Sequence, residues 1–247
     1  MNHELRIMGK TVLVTGAAKG LGAAIALGFA DAGATVALHY RSSREEAEKT
    51  LEEVQALSPK SFLVSGDLSV EEDVESIMEE IEEKTDGVDI LINSIGPFIF
   101  KPIDETTFAE FRDVIEGNLY SSFLCSQAVL PGMRKKGKGH IINFGCVAAD
   151  RLTIRKNTTP YYMAKSSVLM LTKVMAAEEA EHGIRINAIS PGILETSVVK
   201  YENLPQSRFA QFDDIVNAIT YLVSPEADYV NGANLEVSGA WIPGYEH

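Results

Sequence analysis

The stretch TVLVTGAAKGLGAAIALGFADAG, Thr11 to Gly33, decides the fold. Its first five residues form a β-branched, apolar run of strand length that stops at a turn with glycines at 16, 20 and 22. The alanine-rich segment that follows carries apolar residues at helical spacing and ends at Gly33, so the stretch reads as strand, tight turn and helix. Glycines at such a turn let the backbone approach a pyrophosphate. The N–H groups and dipole of the helix N-terminus favour its negative charge. A strand-to-helix turn without a ligand would use the same residues, but the position in a first βα unit favours the nucleotide. The spacing is GxxxGxG, not the GxGxxG of the long dehydrogenases.

The same alternation continues along the chain. Apolar runs ATVALHY, SFLVSG, VDILIN, HIINFG, IRINAIS and ANLEVSG alternate with amphipathic segments beginning SREEAEK, VEEDVES and DDIVNAI, with a long helical segment from about Thr107 to Lys136 and a helix from Tyr161 to His182. Strands apolar on both faces, separated by helices, predict a doubly wound parallel α/β sheet of the Rossmann type. No composition break divides the chain, so residues 1–247 are expected to form a single domain. The segment from Pro191 to Arg208 lacks periodicity and follows a strand's carboxyl end, where it is expected to act as a short substrate lid.

The formal charge of −13 argues against non-specific binding to nucleic acid or an anionic membrane. Two cysteines give no disulfide framework, and MNHELRIMGK lacks the apolar run of a signal peptide. A reducing, cytoplasmic setting is expected, with no membrane span. Five histidines show no metal-ligand spacing, and no metal is expected.

Four further motifs join the glycine turn: NSIG (Asn93 to Gly96) after the fourth strand, Asn118 in the next helix, YYMAK (Tyr161 to Lys165) and PGILET (Pro191 to Thr196). Together they resemble the short-chain dehydrogenase/reductase family, from about Gly9 to Gly239. NSIG keeps only the ends of the usual Asn-Asn-Ala-Gly. The resemblance implies a cofactor site built from Gly16, Lys19, Gly20, Leu21 and Gly22 at the turn, and Tyr40 and Arg41 after the second strand. Asp67 and Leu68 after the third strand, Asn93 and Gly96 after the fourth, and Pro191, Gly192 and Thr196 at the start of the lid complete it, with Tyr161 and Lys165. NAD-preferring members usually carry an acid at the position of Tyr40. Here Arg41 and Lys19 instead offer two cations to a 2′-phosphate, which predicts NADP(H). Ser69 is expected to cap the helix near Val70, leaving Asp67 for the adenine.

For catalysis the resemblance places the Tyr161 phenol at the substrate carbonyl. Lys165, four residues on and so on the same helix face, lowers the cost of phenolate and holds the nicotinamide ribose, and Asn118 anchors a water. Tyr162 also reaches Lys165 by spacing alone. Aligning NFGC with the family's Asn-Ile-Gly-Ser puts Cys146 at the catalytic serine position. A weak thiol donor, a reactive thiolate and a packed small hydrophobe, with Thr158 or Thr159 supplying the hydroxyl, all remain open there.

The implied function is an NADPH-dependent carbonyl reductase, most similar to the 3-oxoacyl-[acyl-carrier-protein] reductases of fatty acid biosynthesis. A reductase of another small ketone or pterin is the alternative, and a catalytically weak NADP-binding regulatory or scaffolding protein is one of another class. Acyl-carrier protein would meet cations at Arg134, Lys135, Lys136, Lys138, Arg151, Arg155 and Lys156 near the entrance. A homotetramer is expected through the helices around 107–136 and 160–182. Ala177 stands where such reductases often have Arg, and SGAWIPGYEH departs from the usual Asp-Gly-Gly ending.

Overall fold

Seven strands hydrogen-bond in the order β3-β2-β1-β4-β5-β6-β7, every neighbouring pair parallel. The structure is a computed structural model describing residues 7–243 apart from 152, 154, 201 and 202. Met1 to Arg6, part of the lid and the last four residues of SGAWIPGYEH therefore lie outside the described residues. The strands are β1 (Thr11–Val14), β2 (Thr35–Tyr40), β3 (Phe62–Ser65), β4 (Ile90–Asn93), β5 (Gly139–Phe144), β6 (Ile184–Pro191) and β7 (Asn234–Val237). Between them run α1 (Gly20–Asp31), α2 (Arg44–Leu57), α3 (Glu71–Lys84), α4 (Phe108–Ile115), α5 (Ser121–Lys136), α6 (Thr159–Glu179) and α7 (Phe212–Val223).

Alternate residues of each central strand enter opposite cores. Val12, Val14, Val36, Leu38, Ile90 and Ile92 pack with Ile25 and Phe29 of α1 and Ile215 and Ile219 of α7. Leu13, Ala37, Leu91 and Ile141 pack on the other face with Ile77 of α3, Met133 of α5 and Met175 of α6. Burial on both faces is why the strands read as continuous apolar runs. The chain order reverses between β1 and β4, so their carboxyl ends diverge into a crevice, the place where open α/β sheets bind ligands.

Two sequence expectations need correction. The segment 107–136 is not one helix: α4 gives way to a π-helical turn at Glu116–Tyr120 before α5 begins. Asn118 lies within that turn, its amide donating to the carbonyls of Val114 (2.8 Å) and Pro97 (2.9 Å). Ser69 does not cap α3, whose N-cap position is Val70 with no side-chain cap. Instead the Ser69 hydroxyl and N–H both donate to Asp67 Oδ1.

The glycine turn is fixed by contact as much as by dihedral freedom. A Cβ on Gly22 would lie 2.2 Å from the Gly16 carbonyl oxygen, whereas Gly20 has a φ of +61° but open space around a Cβ. Gly22→Ala should lower unfolding stability in urea by about 3 kcal/mol, since backbone must move. Gly20→Ala should cost about 1 kcal/mol of left-handed strain. Equal losses would contradict this account of the turn.

Candidate active site

The crevice is an open cleft of about 410 Å³ lined by Gly16 and Lys19 from the glycine turn, Tyr40 and Arg41 from the end of β2, Asp67 and Leu68 after β3, and Gly96 after β4. Ser42 and Ser43 line it beside Arg41, as do Asp113 and Glu116 from the far wall. Both expected cations are already ion-paired, Arg41 with Asp67 at 3.3 Å and Lys19 with Glu46 at 3.7 Å. These pairs are solvent-exposed, so exchanging a carboxylate for a phosphate costs little. Asp67 is thus not left free as expected: the Ser69 hydroxyl first, then the Ser69 N–H and Arg41, hold its carboxyl below the usual range against the opposing effect of burial.

A second group sits where β4, β5 and α6 converge. Lys165 is buried and donates to the Phe144 carbonyl at the end of β5 (2.8 Å), while desolvation pushes its ammonium down to about 8. The ammonium stands 5.7 Å from the centre of the Tyr161 ring, which itself meets Phe98 edge-on at 4.9 Å. Burial, then the neighbouring Cys146, pushes the Tyr161 phenol up, so it keeps its proton at neutral pH. Gly96 is required here: a Cβ would lie 2.1 Å from Asn118 Oδ1 and 3.2 Å from Lys165 Nζ. Asn118 Oδ1 is buried with no hydrogen-bond partner among the described residues, an acceptor directed at the same spot. Such an acceptor fits a water or ribose hydroxyl. The glycine cradle, the cleft and this orphaned acceptor together fit a dinucleotide.

Tyr162 lies elsewhere. Its hydroxyl donates to the Val147 carbonyl (3.2 Å) and its ring packs with Cys146, Ala149, Leu169 and Ala188. Burial raises the Cys146 thiol, with the neighbouring Tyr162 hydroxyl opposing, so the group is a neutral thiol rather than a reactive thiolate. Thr158 is fully buried and donates to the Arg155 carbonyl (2.9 Å), which removes it as the alternative hydroxyl.

Several expected residues fall outside the two groups. Asn93 directs its amide into the sheet, to Asn143 Oδ1 (2.8 Å) and Ser126 Oγ (3.1 Å), rather than toward a cofactor. Asn143 passes the network to Thr172 (2.9 Å), which ties β4 and β5 to α6. Ser94 and Ile95, the departures in NSIG, dock on the glycine turn: Ser94 Oγ donates to the Thr15 carbonyl and the Ile95 N–H to Thr15 Oγ1 (3.2 Å). Leu21 and Gly22 shape the turn from α1. Pro191 ends β6, and Gly192, the next residue, abuts Ser238 just after β7. Thr196 is exposed in the lid, whose ends are pinned by a bridge between Leu194 and Ala210.

The expected ring of entrance cations is also corrected. Arg134 pairs with Glu179, and Lys136 bonds Gly87 O (3.0 Å) and Asp89 (3.1 Å) ahead of β4. Arg134, Lys135, Lys136 and Lys138 therefore gather at the amino edge of the sheet, because α5 runs antiparallel to the strands. Arg151, Arg155 and Lys156 remain at the carboxyl edge.

Sequence reasoning missed His39. Fully buried, it accepts the Gly16 N–H at Nδ1 (3.2 Å) and donates from Nε2 to the Gly66 carbonyl (3.0 Å), joining the glycine turn to the end of β3. A histidine in an otherwise apolar strand was the available signal.

This site defines a nicotinamide-dinucleotide oxidoreductase: a dinucleotide cleft at the switch point of a parallel sheet, leading to a tyrosine above a buried lysine. The relationships agree. A family model described as enoyl-(acyl carrier protein) reductase matches residues 16–241. The chain is 32% identical to the 3-oxoacyl-[acyl-carrier-protein] reductase of Staphylococcus epidermidis, over 94% of this chain and 98% of that one. It is 34% identical to the 7alpha-hydroxysteroid dehydrogenase of Escherichia coli, over 98% and 97%. A solved gluconate 5-dehydrogenase from Burkholderia cenocepacia, in complex with NADP and tartrate, superposes with a TM-score of 0.87 at 29% identity, over 96% of this chain and 98% of that one. The chain belongs to the short-chain dehydrogenase/reductase family and is an oxidoreductase acting on CH–OH and C=O groups.

The bond from the Gly16 N–H requires the neutral ring, and burial foremost depresses its pKa below 6.5, with the Gly66 bond and nearby Asp67 opposing and Arg41 assisting. The unfolded chain then binds the proton first, so the stability His39 contributes is full above about 6.5 and lost as pH falls below it. His140, pushed down to about 4 by burial, adds a slope of the same sign. Urea midpoints of wild type should therefore fall between about pH 7.5 and pH 5.5 more steeply than those of His39→Gln. Parallel pH dependences in the two proteins would sink the assignment.

Proposed function

We propose that the protein is an NADPH-dependent carbonyl reductase in which Tyr161 donates the proton. The observation that carries this is the Tyr161 ring standing 5.7 Å from a buried Lys165 ammonium at the carboxyl edge of the sheet. When bound, NADPH supplies the hydride to the carbonyl carbon. Tyr161 gives its hydroxyl proton to the carbonyl oxygen, and the Lys165 charge offsets the phenolate that forms. Lys165 also holds the nicotinamide ribose, and the Asn118 Oδ1 acceptor positions a water for proton return. Gly16, Gly20 and Gly22 receive the pyrophosphate at the start of α1. Lys19 and Arg41, with Ser42 and Ser43 beside them, favour the 2′-phosphate, the basis for NADPH over NADH. Cys146 adds a weak thiol donor at the substrate oxygen.

The curated relatives favour a 3-oxoacyl thioester, delivered by acyl-carrier protein in fatty acid biosynthesis, as the substrate. A second reading, a small oxo or hydroxy compound, is supported by the grouping of four of the seven cations at the opposite edge, which leaves few to meet an acidic carrier. The hydroxysteroid and gluconate dehydrogenases among the relatives agree with it. The exposed apolar residues Phe123 on α5 and Met163, Met170 and Val174 on α6 support a homotetramer packed through these helices. Among the described residues no helix is long and apolar enough to cross a membrane, and we place the enzyme in the cytoplasm.

NADPH oxidation over 3-oxoacyl thioesters, 2-enoyl thioesters, simple ketones and oxo acids tests the reading. Turnover should be confined to the carbonyl substrates and be at least about tenfold more efficient with NADPH than with NADH. Tyr161→Phe should abolish it with NADPH binding retained, and Tyr162→Phe should not. Cys146→Ser should raise kcat several-fold, about what one neutral donor is worth. Loss of turnover in Tyr162→Phe alone, or turnover of enoyl substrates alone, would refute the assignment.

A further inference from the structure

We propose that Glu236, on the edge strand β7, is a positioning residue for the reaction: it clamps the loop after β5 so that Cys146 and its neighbours form the wall against which Tyr161 stands. The proposal rests on the reductase reading. Glu236 takes no part in proton transfer and acts through Ala148.

The loop leaves β5 at Phe144 and crosses the end of β6. Gly145 makes the crossing: its N–H donates to the Ile189 carbonyl (2.9 Å), and a Cβ there would lie 2.5 Å from Leu169 Cδ2 and 2.6 Å from Ser190 Oγ. Glu236 is the β7 residue paired with Ser190 in the sheet register, so the crossing delivers the loop to its side chain. Cys146, Val147, Ala148 and Ala149 follow, all buried. Their polar backbone groups are cut off from water and need partners inside the protein.

Helix α6 serves the carbonyls. The Val147 carbonyl accepts the Tyr162 hydroxyl (3.2 Å) and the Ala149 carbonyl the Ser166 hydroxyl (2.8 Å), and these two residues come immediately after Tyr161 and Lys165. The Ala148 N–H turns to β7 instead and donates to Glu236 Oε1 (2.7 Å). Arg151 holds the second carboxylate oxygen through Nη2 (2.5 Å), and its own N–H donates to the Ala148 carbonyl (3.1 Å), so the carboxylate is aimed by the turn it supports. Ala148 is left-handed at φ +61°, a conformation that a non-glycine residue keeps only where its surroundings hold it. The loop is thus stretched between α6 and β7, with one charge-assisted bond on the β7 side. Cys146 and Ala149 pack with Tyr162 and Leu169, and the Tyr161 ring rests against them, so a slack loop lets the wall beside the proton donor move. Misplacement by about an ångström is enough to slow a reaction about a hundredfold.

Glu236→Asp and Glu236→Gln separate reach from charge. Aspartate keeps the charge and is one methylene too short for the Ala148 N–H. Glutamine keeps the reach and an acceptor oxygen, and gives up an ion pair to a half-exposed arginine. With acetoacetyl-coenzyme A as substrate, kcat should fall about ten- to hundredfold in Glu236→Asp and stay within about threefold of wild type in Glu236→Gln, with NADPH affinity unchanged in both. Hydrogen exchange of the NADPH-bound protein, followed by mass spectrometry over residues 145–151, gives a readout without turnover. Exchange there should be about tenfold or more faster in Glu236→Asp than in wild type or Glu236→Gln. Glu236→Asp as active as Glu236→Gln, or equal exchange in the two, would overturn the proposal. So would a loss of NADPH affinity in step with kcat, the mark of a merely structural contact. The expected order of exchange with no NADPH oxidation by wild type would instead uphold the clamp and defeat the reductase reading.

Discussion

Burying a lysine ammonium at the carboxyl edge of the sheet constrains everything around it. Lys165 is 4% exposed, and a charge so placed needs hydrogen-bonding partners of fixed position. The carbonyl of Phe144, the last residue of β5, provides one. The same pocket demands glycine at position 96, and it receives Asn118 from a π-helical turn that rotates one side chain out of the regular helix register. Four elements therefore meet around one charge. Tyr161, one helical turn before Lys165, inherits its position from that arrangement.

The two ends of the site are built by different means. At the cleft end, backbone shape dominates: the glycine turn is held by Gly22 against Gly16, by Ile95 against Gly16 and by the His39 ring on the Gly16 N–H. Its cations are exposed and exchangeable. At the substrate end, side chains from distant segments form the wall: Phe98 beside Tyr161, Trp241 beneath Arg155, and Glu236 holding Ala148 in a left-handed conformation at φ +61°.

The same division governs what the sequence could disclose. Strand and helix order was legible because burial on both sheet faces writes itself as apolar runs, and the Tyr161–Lys165 pair because helical spacing puts them on one face. The break at Asn118 was not, since a π turn has no compositional mark and depends on hydrogen bonds to Pro97 and Val114. Asn93 was misplaced because a motif gives a position and not a direction; only the packing of Ser126 and Asn143 shows which way the amide turns. The Arg155–Trp241 contact joins residues 86 positions apart and leaves no local signal. The cations of α5 were assigned to the entrance because sequence proximity to β5 hides the antiparallel course of the helix.

The account's central claim is that the Lys165 charge controls the ionisation of Tyr161. Ultraviolet difference titration of tyrosinate, comparing wild type with Tyr161→Phe in the presence of NADP⁺, isolates that one phenol. Burial raises this phenol in the free protein, and with NADP⁺ bound wild type should show an ionisation absent from Tyr161→Phe and lower than in the free protein. Lys165→Met should raise it further, toward where burial alone would put it. An unchanged ionisation in Lys165→Met, or a low-pH tyrosinate that persists in Tyr161→Phe, would contradict the claim.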